Sequence, residues 1–165
     1  MRLAALDSYG ILDTRPEPEF DAFVARAARR FRAPISLISL VDHRRQWFKA
    51  RIGLTATETD KRIAFCTHTV RNAAPLVVRN ATRDARFADN PLVTGATHIR
   101  FYAGAPLITP LRRCIGTINV LDTLARPSWD EEDTADLEAM AHDVMIVLER
   151  RRAGIVRQRA LSWRS

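Results

Sequence analysis

The sequence predicts an α+β fold, in which a central antiparallel sheet is flanked by helices at both ends of the chain. Short apolar stretches are separated by polar turns at residues 43–45 and 110–113, and turns this short force neighbouring strands to pair antiparallel. Apolar residues recur at helical spacing over residues 17–33 and again after Ser128. A chain of 165 residues with 47% hydrophobic side chains is long enough for one domain with a buried core.

The first predicted helix covers residues 17–33, where apolar side chains follow one another at spacings of three and four. Asp13 or Thr14 is expected to cap its start, and Pro16 suits its first turn. Pro34 is expected to end the helix. The apolar lead before it is expected to pack on this helix or on a second subunit.

Two strands and a loop are predicted next. Residues 35–42 are apolar at nearly every position, which is typical of a central strand. Residues 46–52 form the natural hairpin partner, with Trp47 as a core anchor. Residues 53–62 contain turn and cap residues without an apolar period and are predicted to be a loop, whereas residues 75–79 are predicted to be a further strand.

The stretch Arg83–Leu107 changes from turn-rich and charged to continuously apolar. Its first half is expected to be irregular, and residues 100–107 are predicted to be a buried strand that pairs with residues 114–122. Gly116 allows a bulge or a close backbone approach there. An irregular polar segment beside a buried strand often forms the wall of a small-molecule pocket, although the spacing also fits a surface crossover without a ligand.

The last helix is predicted to begin at Ser128, since Glu131 three residues later suits a capping box. An apolar seam follows at spacings of three and four. It consists of Leu137, Met140, Val144 and Val147. This is the a and d spacing of a coiled coil, but it ends after two heptads. The seam predicts either packing within the chain or a dimer in which two such helices pair in parallel.

The net charge of +7 is concentrated at the end of the chain. Six of the 26 basic residues lie between residues 150 and 165, where there is no acidic residue, so the rest of the chain is nearly balanced. Residues 1–150 are therefore expected to form the domain and residues 151–165 a basic tail. A basic tail can contact nucleic acid or an acidic partner, or simply form a solvated helix end, but no nucleic-acid-binding face is expected on the domain.

No membrane segment or secretion signal is predicted. No apolar run reaches the roughly 18 residues that span a bilayer, and the first ten residues lack the apolar core of a signal peptide. The expected location is the cytoplasm. Cys66 and Cys114 lack the C-x-x-C spacing, so neither a disulfide framework nor a structural zinc site is predicted.

Cys66 and His68 are the first candidates for catalysis, because an imidazole beside a thiol can favour a nucleophilic thiolate. Both fall in a predicted short helix at residues 63–72, where side chains two positions apart do not face each other. His142 and Glu138 lack a third metal ligand. The sequence also contains no glycine-rich phosphate loop or hydrolase motif. Neither a metal site nor a catalytic centre is predicted.

Five blocks of this sequence, in this order, resemble a GAF domain of the bacterial signalling type. They are YGILDTRPEPEFD (9–21), PISLISLVDHRRQWFKARIGL (34–54), FCTH (65–68), PLVVRNATRDARFADNPLVTG (75–95) and IRFYAGAPL (99–107). The resemblance covers roughly residues 3–150. It implies a sheet of about six strands, a pocket between the sheet and its covering segments, and terminal helices that carry a signal to an output module.

Domains of this family bind cyclic nucleotides, bilins, haem or other small molecules, or only dimerise. Bilin-binding relatives carry a cysteine beside a histidine on a later helix, whereas here Cys66 lies earlier and Thr67 intervenes, so covalent bilin is not expected and neither is haem. The free methionine sulfoxide reductase branch resembles this domain but uses a set of clustered cysteines. Cys66 and Cys114 do not supply that set.

The leading hypothesis is a non-catalytic, dimeric domain that senses a small molecule or transmits a signal, with a separate output protein as a further partner. The alternatives are a redox enzyme that uses Cys66 and an interaction domain without a ligand. The predicted pocket residues are Phe65, Cys66, His68, Asp84, Arg86, Asn90, Arg100, Tyr102 and Asn119. Arg100 suits an anionic ligand group, or else pairs with Asp84 or Asp89. The Asn119 amide points either into the pocket or to solvent.

Overall fold

The chain folds into strands and helices that alternate along the sequence, and the structure, a computed structural model, describes residues 1–163. The strands are β1 (Ile35–Val41), β2 (Arg45–Ile52), β3 (Glu58–Asp60), β4 (Leu76–Val78), β5 (Phe101–Ile108) and β6 (Cys114–Asp122). The helices are α1 (Arg2–Asp7), α2 (Pro18–Phe31), α3 (Cys66–Asn72), α4 (Pro91–Thr94) and α5 (Glu131–Ser162), with a 3-10 turn at Ala81–Arg83.

The strands form one antiparallel sheet of six in the spatial order β3-β2-β1-β6-β5-β4. The predicted α+β fold is therefore confirmed. β1 and β6 lie at the centre, and every residue of both strands is buried, as their mainly apolar sequences indicate. The bounds predicted for β6 are those observed.

The two faces of the sheet carry separate hydrophobic cores. On one face, α2, α5 and the N-terminal lead pack against side chains such as Ile38, Phe101 and Ile118. On the other face, α3 and the irregular segment before β5 cover side chains such as Leu37 and Tyr102. Alternate residues of a strand point to opposite faces, so every strand except the edge strand β3 contributes to both cores.

The start of α2 differs from the prediction. The helix begins at Pro18 with Glu17 as its N-cap residue, so the predicted caps Asp13 and Thr14 and the predicted first-turn Pro16 all lie outside it. Both acceptors are used elsewhere, since Asp13 pairs with an arginine of β2 and the Thr14 hydroxyl accepts a hydrogen bond from a lysine of β2. Proline at the first helical position still fits, because its missing N–H would have no helical partner there.

The predicted loop at residues 53–62 contains β3, and that part of the prediction is wrong. β3 is an edge strand of three largely exposed residues that pairs with β2, where Trp47 lies opposite Glu58. The sequence of such a strand shows no apolar alternation from which it could be predicted. Its backbone pairing with β2 stabilises it, and none of its side chains is buried.

α5 also starts later than predicted. Its N-cap is Asp130, which forms a capping box with Asp133, whereas the sequence suggested Ser128 and Glu131. The helix runs on to Ser162, so residues 151–162 of the expected tail are helical. No helix among residues 1–163 has both the length and the apolar character needed to cross a membrane.

The apolar seam of α5 belongs to the core of this chain. Leu137, Met140 and Val144 are buried, and Val147 packs against the same cluster. Packing within the chain is thus the alternative that the structure shows. These side chains leave little surface for a second subunit, so a dimer needs another face of α5.

Candidate ligand cavity

A cavity of about 100 Å³ lies between the sheet and the segments that cover its second face. Its lining is largely apolar and includes Leu37, Phe48, Phe65, Ile99, Tyr102 and Leu121. No charged side chain is found among the described residues that line it. Leu54, Ala56 and Thr97 are partly or fully exposed and mark its rim. Enclosure by apolar side chains with a few polar groups is typical of small-molecule sites.

Asn119 is the polar group at the centre of this lining. It is 1% exposed, and its position on β6 places it between Leu37 of β1 and Gly104 of β5. Its Nδ2 donates to Ser39 Oγ at 3.0 Å and to Thr117 Oγ1 at 2.7 Å. Its Oδ1 has no hydrogen-bond partner among the described residues. A buried carbonyl left in this state costs about 1–3 kcal/mol, which a donor in the cavity would offset.

Cys66 and Gln46 form a second polar pair, and both are already satisfied. The Cys66 thiol donates to Gln46 Oε1, and Gln46 Nε2 donates to Thr59 Oγ1 at 2.9 Å. Burial raises the pKa of the Cys66 thiol far above its ordinary value. Burial likewise raises the pKa of Cys114 to about 11. Neither sulfur is therefore a thiolate at neutral pH, and the thiolate is the nucleophilic form.

Both thiols are expected to resist modification in the folded protein. With 5,5′-dithiobis(2-nitrobenzoate) in native buffer, the two cysteines should react only after denaturant is added, because both are buried and protonated. Absorbance of the released thiolate measures the reaction. A Cys114→Ala variant isolates Cys66, and rapid labelling of that variant in native buffer would contradict the prediction.

Aromatic rings build one wall of the cavity. Phe65 stacks on Phe87 with ring centroids 4.2 Å apart and on Tyr102 at 5.3 Å. Gly104 leaves room for the tyrosine, because a Cβ at that position would lie 2.2 Å from Tyr102 Oη. The wall therefore depends on a glycine two residues along the same strand.

Four of the nine predicted pocket residues line the cavity, namely Phe65, Cys66, Tyr102 and Asn119. The amide of Asn119 faces the pocket rather than solvent. The stretch Arg83–Leu107 does contribute a wall, through Leu92, Thr97, Ile99 and Tyr102. Asp84, Arg86, Asn90 and Arg100 of this stretch, however, have partners elsewhere.

The other five predicted residues lie outside the lining. Asp84 and Arg86 form an ion pair with each other at 2.7 Å. Asn90 caps α4 by accepting from the Leu92 N–H, and its Nδ2 donates to the Ile63 carbonyl.

Arg100 and His68 complete that set. Arg100 donates to the Val93 carbonyl at 2.9 Å and contacts the ring of His98. It does not line the cavity, and within the described residues it forms no ion pair with Asp84, which pairs with Arg86 instead, or with Asp89. His68 packs edge-on against Phe87, away from the cavity. Burial and nearby arginines lower the pKa of His68.

Gln46, Leu37 and Leu121 line the cavity but were absent from the predicted set. Leu37 and Leu121 lie on the same face of the sheet as Asn119. Once that face is known to carry the cavity, the alternation of side chains along β1 and β6 identifies both residues. Three polar lining residues, Gln46, Thr59 and Thr97, are also absent from the predicted set; Gln46 is the buried one, and nothing in the mixed sequence of β2 distinguishes it from its polar neighbours.

Comparisons with known proteins place this geometry in a family. The chain is 42% identical over 144 residues to a cyclic di-GMP phosphodiesterase of Pseudomonas aeruginosa, a match that covers 87% of this chain and 24% of that protein. The chain thus spans about a quarter of that relative's length.

Two solved structures share the fold at low identity. The GAF domain of an Acinetobacter phosphoenolpyruvate-protein phosphotransferase superposes with a TM-score of 0.70 at 18% identity, covering 93% of this chain and 97% of that one. The free methionine-R-sulfoxide reductase of Neisseria meningitidis, solved with its substrate, gives 0.68 at 16% identity over 90% and 88% of the chains. A GAF domain model matches residues 15–148, and the chain therefore belongs to the GAF domain family.

Proposed function

We propose that this domain is a non-catalytic sensor that binds a small molecule in the cavity over β1, β5 and β6. Its family and its signalling relative support a sensing or signalling role. The observation that carries ligand binding is the unpartnered Oδ1 of Asn119, a buried residue that lines a largely apolar cavity. The proposed location is the cytoplasm, and the proposed recipient of the signal is an output module or protein.

The sheet connects the cavity to α5. Tyr102 lines the cavity on one face of β5, while Phe101 and Ala103 point into the core that α5 covers. A ligand that displaces Tyr102 therefore acts on a strand that packs against α5. Closely packed interiors transmit such shifts because they have little free volume to absorb them.

A fragment screen tests ligand binding directly. Neutral and charged fragments of up to about ten non-hydrogen atoms are mixed with the protein, and ligand-observed NMR detects binding. The control is Leu121→Phe, which enlarges a lining side chain and fills the cavity. Fragments that bind the wild type and lose affinity for Leu121→Phe support the proposal, whereas a library without any such fragment would refute it.

An assay of free methionine-R-sulfoxide reduction tests the non-catalytic part. The buried, protonated Cys66 is expected to give no turnover with a dithiol reductant. Turnover that disappears in Cys66→Ala would overturn this part of the proposal.

We also infer that two copies pair through the outward face of α5. A stripe at alternating spacings of four and three lies on that face, opposite the buried seam. It consists of Ala135, Ala139, His142, Ile146, Glu149, Ala153, Val156, Ala160 and Trp163. Ile146, Val156 and Trp163 are 53%, 62% and 89% exposed. Apart from His142 and Glu149 the stripe is apolar, as the a and d positions of a helix pair require.

Charge favours an antiparallel arrangement. Residues 131–149 carry acidic side chains without lysine or arginine, and residues 150–163 carry arginines without an acidic residue. Antiparallel pairing centred near Glu149 places Glu138 beside Arg159 of the second copy. Parallel pairing instead places Arg152 beside Arg157 of the second copy, and such like-charge contacts are unfavourable.

Light scattering on a size-exclusion column checks the pairing. The wild type is expected to be dimeric at tens of micromolar, and Val156→Glu monomeric. Glu138→Arg and Arg159→Glu should each weaken the dimer, and the double variant should restore it. A monomeric wild type, or a double variant weaker than either single one, would contradict the arrangement.

A further inference from the structure

We propose that the cavity selects a small, uncharged ligand with one hydrogen-bond donor, which Asn119 Oδ1 accepts. The inference rests on the proposed function, because it names the ligand class of the same site. It depends on three properties of the lining, namely its volume, its lack of charge and its one unused acceptor.

Volume limits the ligand to about the size of one small ring. An engineered cavity of about 150 Å³ in another protein holds benzene, and the cavity here is about 100 Å³. Sites for drug-sized molecules are roughly 300–1,000 Å³. A nucleotide or a tetrapyrrole therefore exceeds the space between β6 and α3, whereas a ligand of roughly six or seven non-hydrogen atoms does not.

The lining offers no counter-charge. The described lining residues are uncharged, and Arg100, the nearest cation in the predicted set, donates to the Val93 and Ile99 carbonyls. The free energy needed to bury a carboxylate or a phosphate without a partner is far larger than the free energy gained by filling a cavity of this size. The ligand is therefore neutral when bound.

The hydrogen-bond pattern leaves an acceptor to be satisfied. The side-chain amide nitrogens of the lining already donate to other groups. Asn119 Nδ2 donates to two hydroxyl groups, and Gln46 Nε2 donates to Thr59. The Cys66 thiol donates to Gln46. Among the buried side-chain oxygen and nitrogen atoms of the described lining residues, Asn119 Oδ1 is the one without a partner. A hydroxyl or ring N–H on the ligand satisfies it, whereas an acceptor-only group would repel it.

Phenol and toluene provide a matched pair of probes, since they have the same shape and size and differ in the donor. Their binding is followed by ¹H–¹⁵N NMR titration of the full chain, with benzoate as the charged analogue. Phenol is expected to bind at least about tenfold more tightly than toluene, because toluene leaves the carbonyl unpaired. Benzoate is expected not to bind.

Asn119→Leu removes the acceptor with little change in volume, and it is expected to reverse the preference so that toluene binds more tightly than phenol. Asn119→Ala is a second variant that removes the acceptor. If neither variant folds, the comparison of phenol with toluene on the wild type still tests the proposal. Equal binding of phenol and toluene to the wild type, or binding of benzoate, overturns the ligand class but leaves sensing intact. Failure of all three probes overturns the ligand class, and only a fragment screen that is also empty overturns sensing.

Discussion

Replacing Gly116 with alanine is expected to lower the free energy of unfolding by about 3 kcal/mol or more. Gly116 lies on β6, opposite Leu40 of β1. A Cβ at this position would lie 2.0 Å from the Ser39 carbonyl oxygen and 3.0 Å from the Leu40 Cα. Those atoms belong to the backbone of the neighbouring strand, so they cannot rotate away. The central pair of strands would have to separate, which breaks ladder hydrogen bonds in the most buried part of the sheet.

Gly154→Ala is the matched control for this change. No atom lies within 4 Å of a Cβ built on Gly154, which is in the projecting part of α5. Alanine there is expected to raise stability by up to about 1 kcal/mol, because glycine is a poor helix former. Urea unfolding followed by circular dichroism measures both variants. A Gly116→Ala protein as stable as the wild type would show that β1 and β6 tolerate a side chain between them.

The central strands could be predicted because the composition of their own residues indicates that they are buried. β1 and β6 are mainly apolar, with short polar side chains between the large apolar ones, and are bounded by turn residues; the close approach at Gly116 follows from a glycine inside a strand. β3 carries no such signal, since Thr59 and its neighbours are polar and depend on the pairing with β2. An element held by its neighbour cannot be identified from its own composition.

The cavity was only partly predictable for a related reason. Asn119 and Tyr102 carry polar groups inside largely apolar strands, which marks them as candidates. Asp84 and Arg86 looked equally suitable, but side chains two residues apart in a turn readily pair with each other. Which groups remain free depends on these local pairings. The face of α5 was ambiguous likewise, because two stripes with the same spacing lie on opposite sides of it.

Replacing Glu17 with glutamine is expected to destabilise the domain by about 2 kcal/mol at neutral pH. Its partner Lys49 is buried, with a side chain that is 0% exposed, and pairs with the Glu17 carboxylate. In this variant Lys49 keeps its hydrogen bonds to Thr14 Oγ1 and the Arg15 carbonyl, so the ammonium group still has two acceptors. Loss of its counter-charge nevertheless leaves a buried cation uncompensated.

The effect of Glu17 depends on pH in a defined direction. Burial raises the pKa of this carboxyl, but hydrogen bonds and charge from Lys49 and Arg151 outweigh burial and lower it below 4.5. A carboxyl with a depressed pKa stabilises the fold above its ordinary pKa, and that contribution disappears as the pH falls through the folded value. The difference in stability between the wild type and Glu17→Gln should therefore shrink below about pH 4.5.

Glu19→Gln is the control, since Glu19 pairs with Arg150 and both side chains are more than half exposed. Its cost should stay below about 1 kcal/mol at any pH. Equal losses for the two variants would mean that Lys49 is well solvated without its partner.

Glu17 also connects β2 with α5. Its carboxylate pairs with Lys49, which is next to the cavity residue Phe48 on β2, and with Arg151 on α5. A rearrangement of β2 would therefore reach α5 through this carboxylate.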